Sequence, residues 1–197
     1  MDEGYIKFQL HWEEGAAPSQ NIQELIQYRD QLYQKGWIGF DKVHKVGFGN
    51  ISLRLDRSDH FIISSTQTGH FKQTQPEHYC EVLKCDIPAN TVWCLGPLRA
   101  SSESMSHAAV YSCSEKIGAI IHIHQHELWM RSKHQIPTTS DEVAYGTPEM
   151  AYEIQRLYRE TSLPQDGVLA MAGHEDGIIS FGEDLAEAYR NLERISL

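Results

Sequence analysis

The sequence predicts an α/β domain with a largely antiparallel sheet, and three observations predict it. Apolar stripes at helical spacing recur along the chain, separated by short runs in which apolar residues alternate or cluster. Two pairs of those runs flank turn residues and read as hairpins. No internal repeat, low-complexity tract or linker interrupts the 197 residues, so residues 1–197 are read as one domain, long enough to bury roughly 70% of its unfolded surface.

Taken in order, Tyr5 to Trp12 alternates as a strand until Gly15-Ala16-Ala17-Pro18 breaks it. Asn21 then caps a helix, with Glu24 three residues on, and Ile22, Leu25, Ile26, Leu32 and Tyr33 form its buried stripe before Gly36 stops it. Gly47-Phe48-Gly49-Asn50 leads into Ile51-Ser52-Leu53-Arg54-Leu55, a Ser58-Asp59 turn and the returning strand Phe61-Ile62-Ile63. The stretch from Gln67 to Leu83 is polar and aromatic, contains Pro76 and is expected to be loop, and Thr91 to Leu95 is a further strand. A helix is expected from Ser101 to Lys116, capped by Ser101 or Ser102 and ended by Gly118, with Met105, Ala108, Ala109 and Ser112 at helical spacing. The strand Ala119 to His124 follows directly. Thr147 caps the next helix with Pro148 in its first turn, and its buried face is Met150, Ile154, Leu157 and Tyr158. Val168 to Ala172 and Ile178 to Phe181 flank Gly173-His174-Glu175-Asp176-Gly177, whose Asp-Gly is a hairpin signal. A last helix packs on Leu185, Ala188, Tyr189, Leu192 and Ile195.

Composition narrows the function. With 17 Lys and Arg against 27 Asp and Glu, the net charge of −10 argues against nucleic acid and anionic membrane as partners, since both need clustered positive charge. The start Met1-Asp2-Glu3-Gly4 lacks the basic and apolar regions of a signal peptide, and no apolar run approaches the ~20 residues of a membrane span. A cytoplasmic protein is expected, with Cys80, Cys85, Cys94 and Cys113 as reduced thiols.

The chemistry gathers at His122-Ile123-His124. Residues two apart on a strand face the same way, roughly 6.5–7 Å apart, from which two imidazoles can reach one ion. Taken alone, the pair fits either a metal site or two hydrogen-bonded histidines near a sheet edge.

The ordered set Gly49-Asn50-Ile51-Ser52, Thr68-Gly69, Ser101-Ser102-Glu103, His122-Ile123-His124 and Gly173-His174 resembles the class II aldolase/adducin family and covers most of the chain. The resemblance implies a three-layer αβα domain, a zinc ion or another divalent metal, and homotetramers with sites near subunit interfaces. It implies His122, His124 and His174 as metal ligands, Glu103 as the acid/base, and Asn50, Thr68, Gly69, Ser101 and Ser102 as a phosphate pocket. Three protein ligands leave a position open, as a catalytic zinc requires. A small hydroxy-carbonyl substrate, a sugar phosphate or a related sugar acid, would then react by enediolate chemistry as in an aldolase, epimerase or dehydratase.

Each residue also has a plainer structural reading. Gly49-Asn50 can be a turn, Ser101-Ser102 a helix cap, Glu103 a first-turn carboxylate and His174 a loop histidine. His126 and His107 are read as groups behind the ligands or contacts to substrate, and Tyr145 as an aromatic wall or an acid. Three departures from the family pattern stand out. Glu175 and Asp176 intervene before Gly177, no proline precedes Thr68-Gly69, and the chain ends at Leu197 where the aldolases continue into a tail that supplies a tyrosine. Two rival functions follow from the same residues: a non-catalytic adducin-like assembly module, and a metal-dependent hydrolase with Glu103 as base.

Overall fold

The computed structural model describes residues 4–20, 22–56 and 60–196. Asn21, expected as a helix cap, and the expected Ser58-Asp59 turn lie outside the described residues. The first strand, β1 (Gln9–Glu14), starts later than Tyr5 because its partner sets its extent. It pairs in parallel with β7 (Thr91–Gly96), Gln9 opposite Thr91 and Glu14 opposite Gly96, while Phe8 ahead of it is drawn into the core. The helix α1 (Ile22–Gln34) buries Ile22, Leu25 and Leu32, and Arg29 joins them on the buried face. Gly36, at φ +72°, ends the helix in the left-handed conformation that glycine adopts without strain.

A small antiparallel ribbon of β2 (Gly39–Asp41) and β3 (Val46–Phe48) follows, which no alternation in the sequence announces. β4 (Asn50–Arg54) and β5 (Phe61–Ser64) are the expected hairpin. Gly49 enters β4 at φ +72°, and a Cβ there would stand 3.0 Å from His122 O and 2.8 Å from an Ile38 side-chain carbon. Conformation and close approach both demand glycine at that position.

The expected loop from Gln67 to Leu83 needs correction in its second half. A 3-10 turn at Pro76–His78 leads into β6 (Tyr79–Asp86), which runs antiparallel between β5 and β7. Tyr79, Cys80 and Val82 are buried, but the register shifts between Val82 and Lys84 and leaves Leu83 exposed, which masks the alternation in the sequence. The helix α2 (Ser104–Cys113) is shorter than the predicted Ser101–Lys116 and is buried from Ser104 through Tyr111, a core helix rather than a one-faced one.

The chain then forms β8 (Ala119–His124), α3 (His126–Ser132), α4 (Pro148–Glu160), α5 (Leu163–Asp166), β9 (Val168–Ala170), β10 (Gly177–Gly182) and α6 (Leu185–Ser196). Thr147 caps α4 as expected, its side chain accepting from Met150 N at 3.3 Å. The short helices α3 and α5 were not expected, since neither is long enough to carry a periodic stripe.

Eight strands form one sheet in the order β1-β7-β6-β5-β4-β8-β10-β9, and only the β1–β7 pair at its edge is parallel. One face packs Ile63, Val82, Val92, Ile120 and Ile179 against α2, α4 and α5. The other packs Ile51, Ile62, Ile121, Ile123 and Ile178 against α1, α3 and α6. The architecture is the three-layer αβα expected, and each fully buried aliphatic side chain contributes roughly 1.5–3 kcal/mol to it. Along β8 the odd positions Ala119, Ile121 and Ile123 belong to the second face and Ile120 to the first. His122 and His124 share the parity of Ile120, so they project toward the α2 layer. No helix among the described residues is long and apolar enough to cross a membrane.

Candidate active site

β8 lies between β4 and β10, which puts Asn50 on one side of His122 and Ile179 on the other, with Gly177 opposite His124. His122 Nδ1–H donates to Ile178 O at 3.2 Å, which leaves Nε2 with its lone pair free to coordinate. That Nε2 stands 3.1 Å from His124 Nε2. With His174 added, one ligand nitrogen from each ring lies within 4.8 Å of the others. Nitrogens around a tetrahedral zinc at ~2.0–2.1 Å stand roughly 3.3 Å apart, so the three rings fit one ion.

Burial holds all three rings in the neutral form that a metal requires. It pushes His122 down to about 4, against a small upward pull from the Ile178 carbonyl. His124 is pushed well below the ordinary histidine range by burial, then by His174 and His122. His174 is lowered likewise by burial, then by His122 and Lys7. A lowered pKa in the folded state means that the unfolded chain takes up protons first, so acid favours unfolding. For protein stripped of metal, stability should therefore be full above the unfolded value of 6.5 and fall as the pH drops toward 4. His122 alone accounts for about 2 kcal/mol by pH 5. Urea unfolding of the stripped protein at pH 7 and pH 5 measures this, and equal stabilities would contradict it.

The turn that carries His174 accommodates its two additional residues. Gly177 N–H donates to His174 O at 2.9 Å, Asp176 takes a left-handed conformation, and Gln125 N–H donates to Asp176 O at 3.1 Å. His126 does not extend the row of ligands. It begins α3, exposed, with Nδ1 2.7 Å from Asp176 Oδ1, and so braces the turn from outside. A Cβ on Gly177 would stand 2.7 Å from His174 Cδ2 and 3.3 Å from His122 Cε1. Gly177→Ala should therefore push two of the three rings apart and weaken zinc affinity by about 10–100-fold, the range for lost support of metal ligands. Competition with a chromophoric chelator reads the change, and an unaltered affinity would mean that the rings are not held as described.

Glu103 occupies the position before α2 without capping it, since its side chain makes no cap hydrogen bond. It is 3% exposed, and its Oε1 stands 3.9 Å from His174 Nε2. Its own N–H donates to Ser101 Oγ at 3.2 Å, and Ser104 Oγ donates to Ser101 O at 2.7 Å, so the serines fix the backbone that aims the carboxylate. Asn50, Thr68, Gly69, Ser101 and Ser102 line the same cavity as Glu103 and the three histidines, so all nine residues singled out in the sequence come together. No lysine or arginine is among the described residues that line it. Asn50 Oδ1 is buried with no hydrogen-bond partner among the described residues. Gly69 presses so close to the β2–β3 ribbon that a Cβ would lie 2.0 Å from Gly39 O.

The mouth of the cavity carries residues that the sequence motifs do not announce. The segment from Gly4 to Lys7 runs across it: Gly4 lines the cavity, Tyr5 N–H donates to Tyr145 OH at 3.3 Å, and Lys7 Nζ stands 3.8 Å from the Tyr145 ring centre. The Tyr145 ring is 4.4 Å from that of His174, and Phe48 is 5.7 Å from His124. Only the aromatic residues here carried any signal in the sequence, and Tyr145 stands where a wall would. His107 is not in the cavity. It is fully buried behind it with Nδ1 2.7 Å from Ser52 Oγ, and burial and His122 hold its pKa well down.

Residues 23–196 match the sequence profile of a family described as Class II Aldolase and Adducin N-terminal domain. The chain is 28% identical over 136 residues to a methylthioribulose-1-phosphate dehydratase of Pseudomonas syringae pv. syringae (strain B728a), a match covering 68% of this chain and 56% of that protein. It thus spans little more than half the length of this relative. Among solved structures, YgbL from Klebsiella pneumoniae is similar with a TM-score of 0.66 at 21% identity, over 92% of this chain and 87% of that one. An L-fuculose 1-phosphate aldolase is similar with a TM-score of 0.65 at 20% identity, over 91% and 84%. At these identities the structural likeness establishes the fold.

Proposed function

Because the chain belongs to the class II aldolase and adducin family, we propose that it is a metal-dependent lyase acting on a small phosphorylated hydroxy-carbonyl compound, as an aldolase, epimerase or dehydratase. The observation that carries this reading is the meeting, in one cavity, of three neutral imidazoles, a buried carboxylate and a cradle of uncharged donors. His122, His124 and His174 hold the metal, zinc or another divalent ion. When bound, that ion supplies Lewis acidity toward a carbonyl and compensates the charge of an enediolate.

The remaining steps fall to the side chains. Asn50, Thr68, Gly69, Ser101 and Ser102 hold the phosphate through hydroxyls, an amide and backbone N–H groups. Glu103 takes a proton from the carbon or hydroxyl beside the carbonyl and returns it to the product, within reach of substrate bound next to His174. Tyr145 and Phe48 wall the cavity and exclude water from the reacting carbons. The dehydratase named among the relatives favours elimination of water, in which Glu103 would serve as base and then as acid. The same reading takes residues 1–197 as one domain of a cytoplasmic homotetramer.

The test is turnover by the zinc-loaded protein on a panel of phosphorylated ketoses and aldoses, with unphosphorylated sugars and simple esters alongside. Turnover of a phosphorylated sugar without ester hydrolysis supports the lyase. Ester hydrolysis alone would move the assignment to a hydrolase. Metal binding without any turnover would mean a closed structural metal site, and a protein that takes up no zinc would favour an assembly module of the adducin kind.

A further inference from the structure

The segment that presents Thr68 and Gly69 to the cavity is held from behind by a hidden charge. Arg29 on α1 is 1% exposed. One of its terminal nitrogens donates to Thr68 O at 3.0 Å and to Gly69 O at 3.4 Å, and the other donates to Phe71 O. In a trans peptide the N–H points opposite to the C=O. Turning the carbonyls of residues 68 and 69 toward the guanidinium therefore turns the N–H groups of Gly69 and His70 away from it. The Gly69 N–H has no hydrogen-bond partner among the described residues, and Gly69 lines the cavity.

The charge of Arg29 is only partly offset. Asp30 Oδ1 lies 3.3 Å from it, and the same carboxylate accepts from Thr74 N at 3.1 Å and Thr74 Oγ1 at 3.1 Å. A leucine would complete the apolar stripe of α1 without the desolvation that a buried guanidinium requires. Apolar packing does not explain the arginine; its hydrogen bonds to the three carbonyls brace the loop, and its charge would favour an anion on the loop's far side.

We propose that Arg29 is a positioning residue for a phosphate monoester. It orients the Thr68–Gly69 peptide groups and stands behind them as the positive charge that the cavity wall lacks. This rests on the phosphate reading of the cavity given above. Asp30 works against it, as the carboxylate that dilutes the charge. The two neighbours should thus have opposite effects on anion affinity, which a role confined to bracing the loop would not produce.

Calorimetric titration of the purified protein with inorganic phosphate, with and without added zinc, tests the proposal. Arg29→Met should weaken phosphate about tenfold and Arg29→Lys less, while Asp30→Asn, which keeps an acceptor for Thr74, should tighten it by about threefold. If the arginine variants bind as the wild type does, or if Asp30→Asn loosens phosphate as much as they do, Arg29 is only a brace and the proposal fails while the phosphate reading stands. If the wild type binds no phosphate in either condition, the phosphate reading itself falls and this proposal with it. Circular dichroism identifies any variant that does not fold, and if Arg29→Met is one, Arg29→Lys and Asp30→Asn decide the question by their opposite signs.

Discussion

His122→Ala is expected to abolish retention of zinc, lowering affinity by well over 10²-fold and turnover with it, beyond the loss expected when only a supporting partner of a ligand is removed. The size follows from how this ring is held. Its Nδ1–H is committed to Ile178 O, its backbone is fixed between two strands, and its Nε2 is the nitrogen that approaches His124. No other described histidine is placed to substitute, since His107 lies buried behind the cavity and His126 faces outward onto Asp176. Elemental analysis after gel filtration reads the metal, with His126→Ala as the control that should keep it. One zinc per chain remaining in His122→Ala would remove the basis for the proposed centre.

Glu103→Gln should keep the metal and lower kcat by about 10²–10⁴, the usual contribution of a positioned acid/base, with little change in KM. Glutamine matches the shape of glutamate, so the backbone set by Ser101 and Ser104 is undisturbed. What disappears is the capacity to move a proton at a buried site where water is a poor replacement. A kcat within a few-fold of wild type would show that another group carries the proton, and Tyr145 would be the next to examine. Steady-state kinetics on the substrate found in the panel, together with metal content, separates this outcome from loss of the ion.

The candidate site was legible in the sequence because five short motifs stand in the order that resembles the class II aldolase/adducin family, whereas local geometry alone left His122 and His124 open between a metal site and a hydrogen-bonded pair and gave Glu103 and His174 plainer roles. His122 and His124 share a strand face, Glu103 follows two serines at a helix start, and Gly49 sits where only glycine fits. What escaped notice depends on partners distant in the chain. β6 hides behind a register shift at Leu83, and the extent of β1 is chosen by β7. The β2–β3 ribbon is too short to show a period. Arg29 shares the buried face of α1, yet nothing in the sequence singles it out, because the carbonyls of Thr68, Gly69 and Phe71 that surround it come from far along the chain. Lys7 reaches the cavity mouth only because the chain ahead of β1 crosses it.

The placement of β8 between β4 and β10 has a consequence for how the protein comes to exist during translation. The proposed ligand His174 follows His122 by more than fifty residues, and it reaches the other two histidines only once β10 has zipped onto β8. A nascent chain that has already released Asn50, Glu103 and both strand histidines still offers an ion only two of the three proposed histidine ligands. In the proposed centre, metal uptake would therefore be among the last events in maturation rather than a seed for folding, and a chain stalled or clipped before β10 should emerge from the ribosome empty.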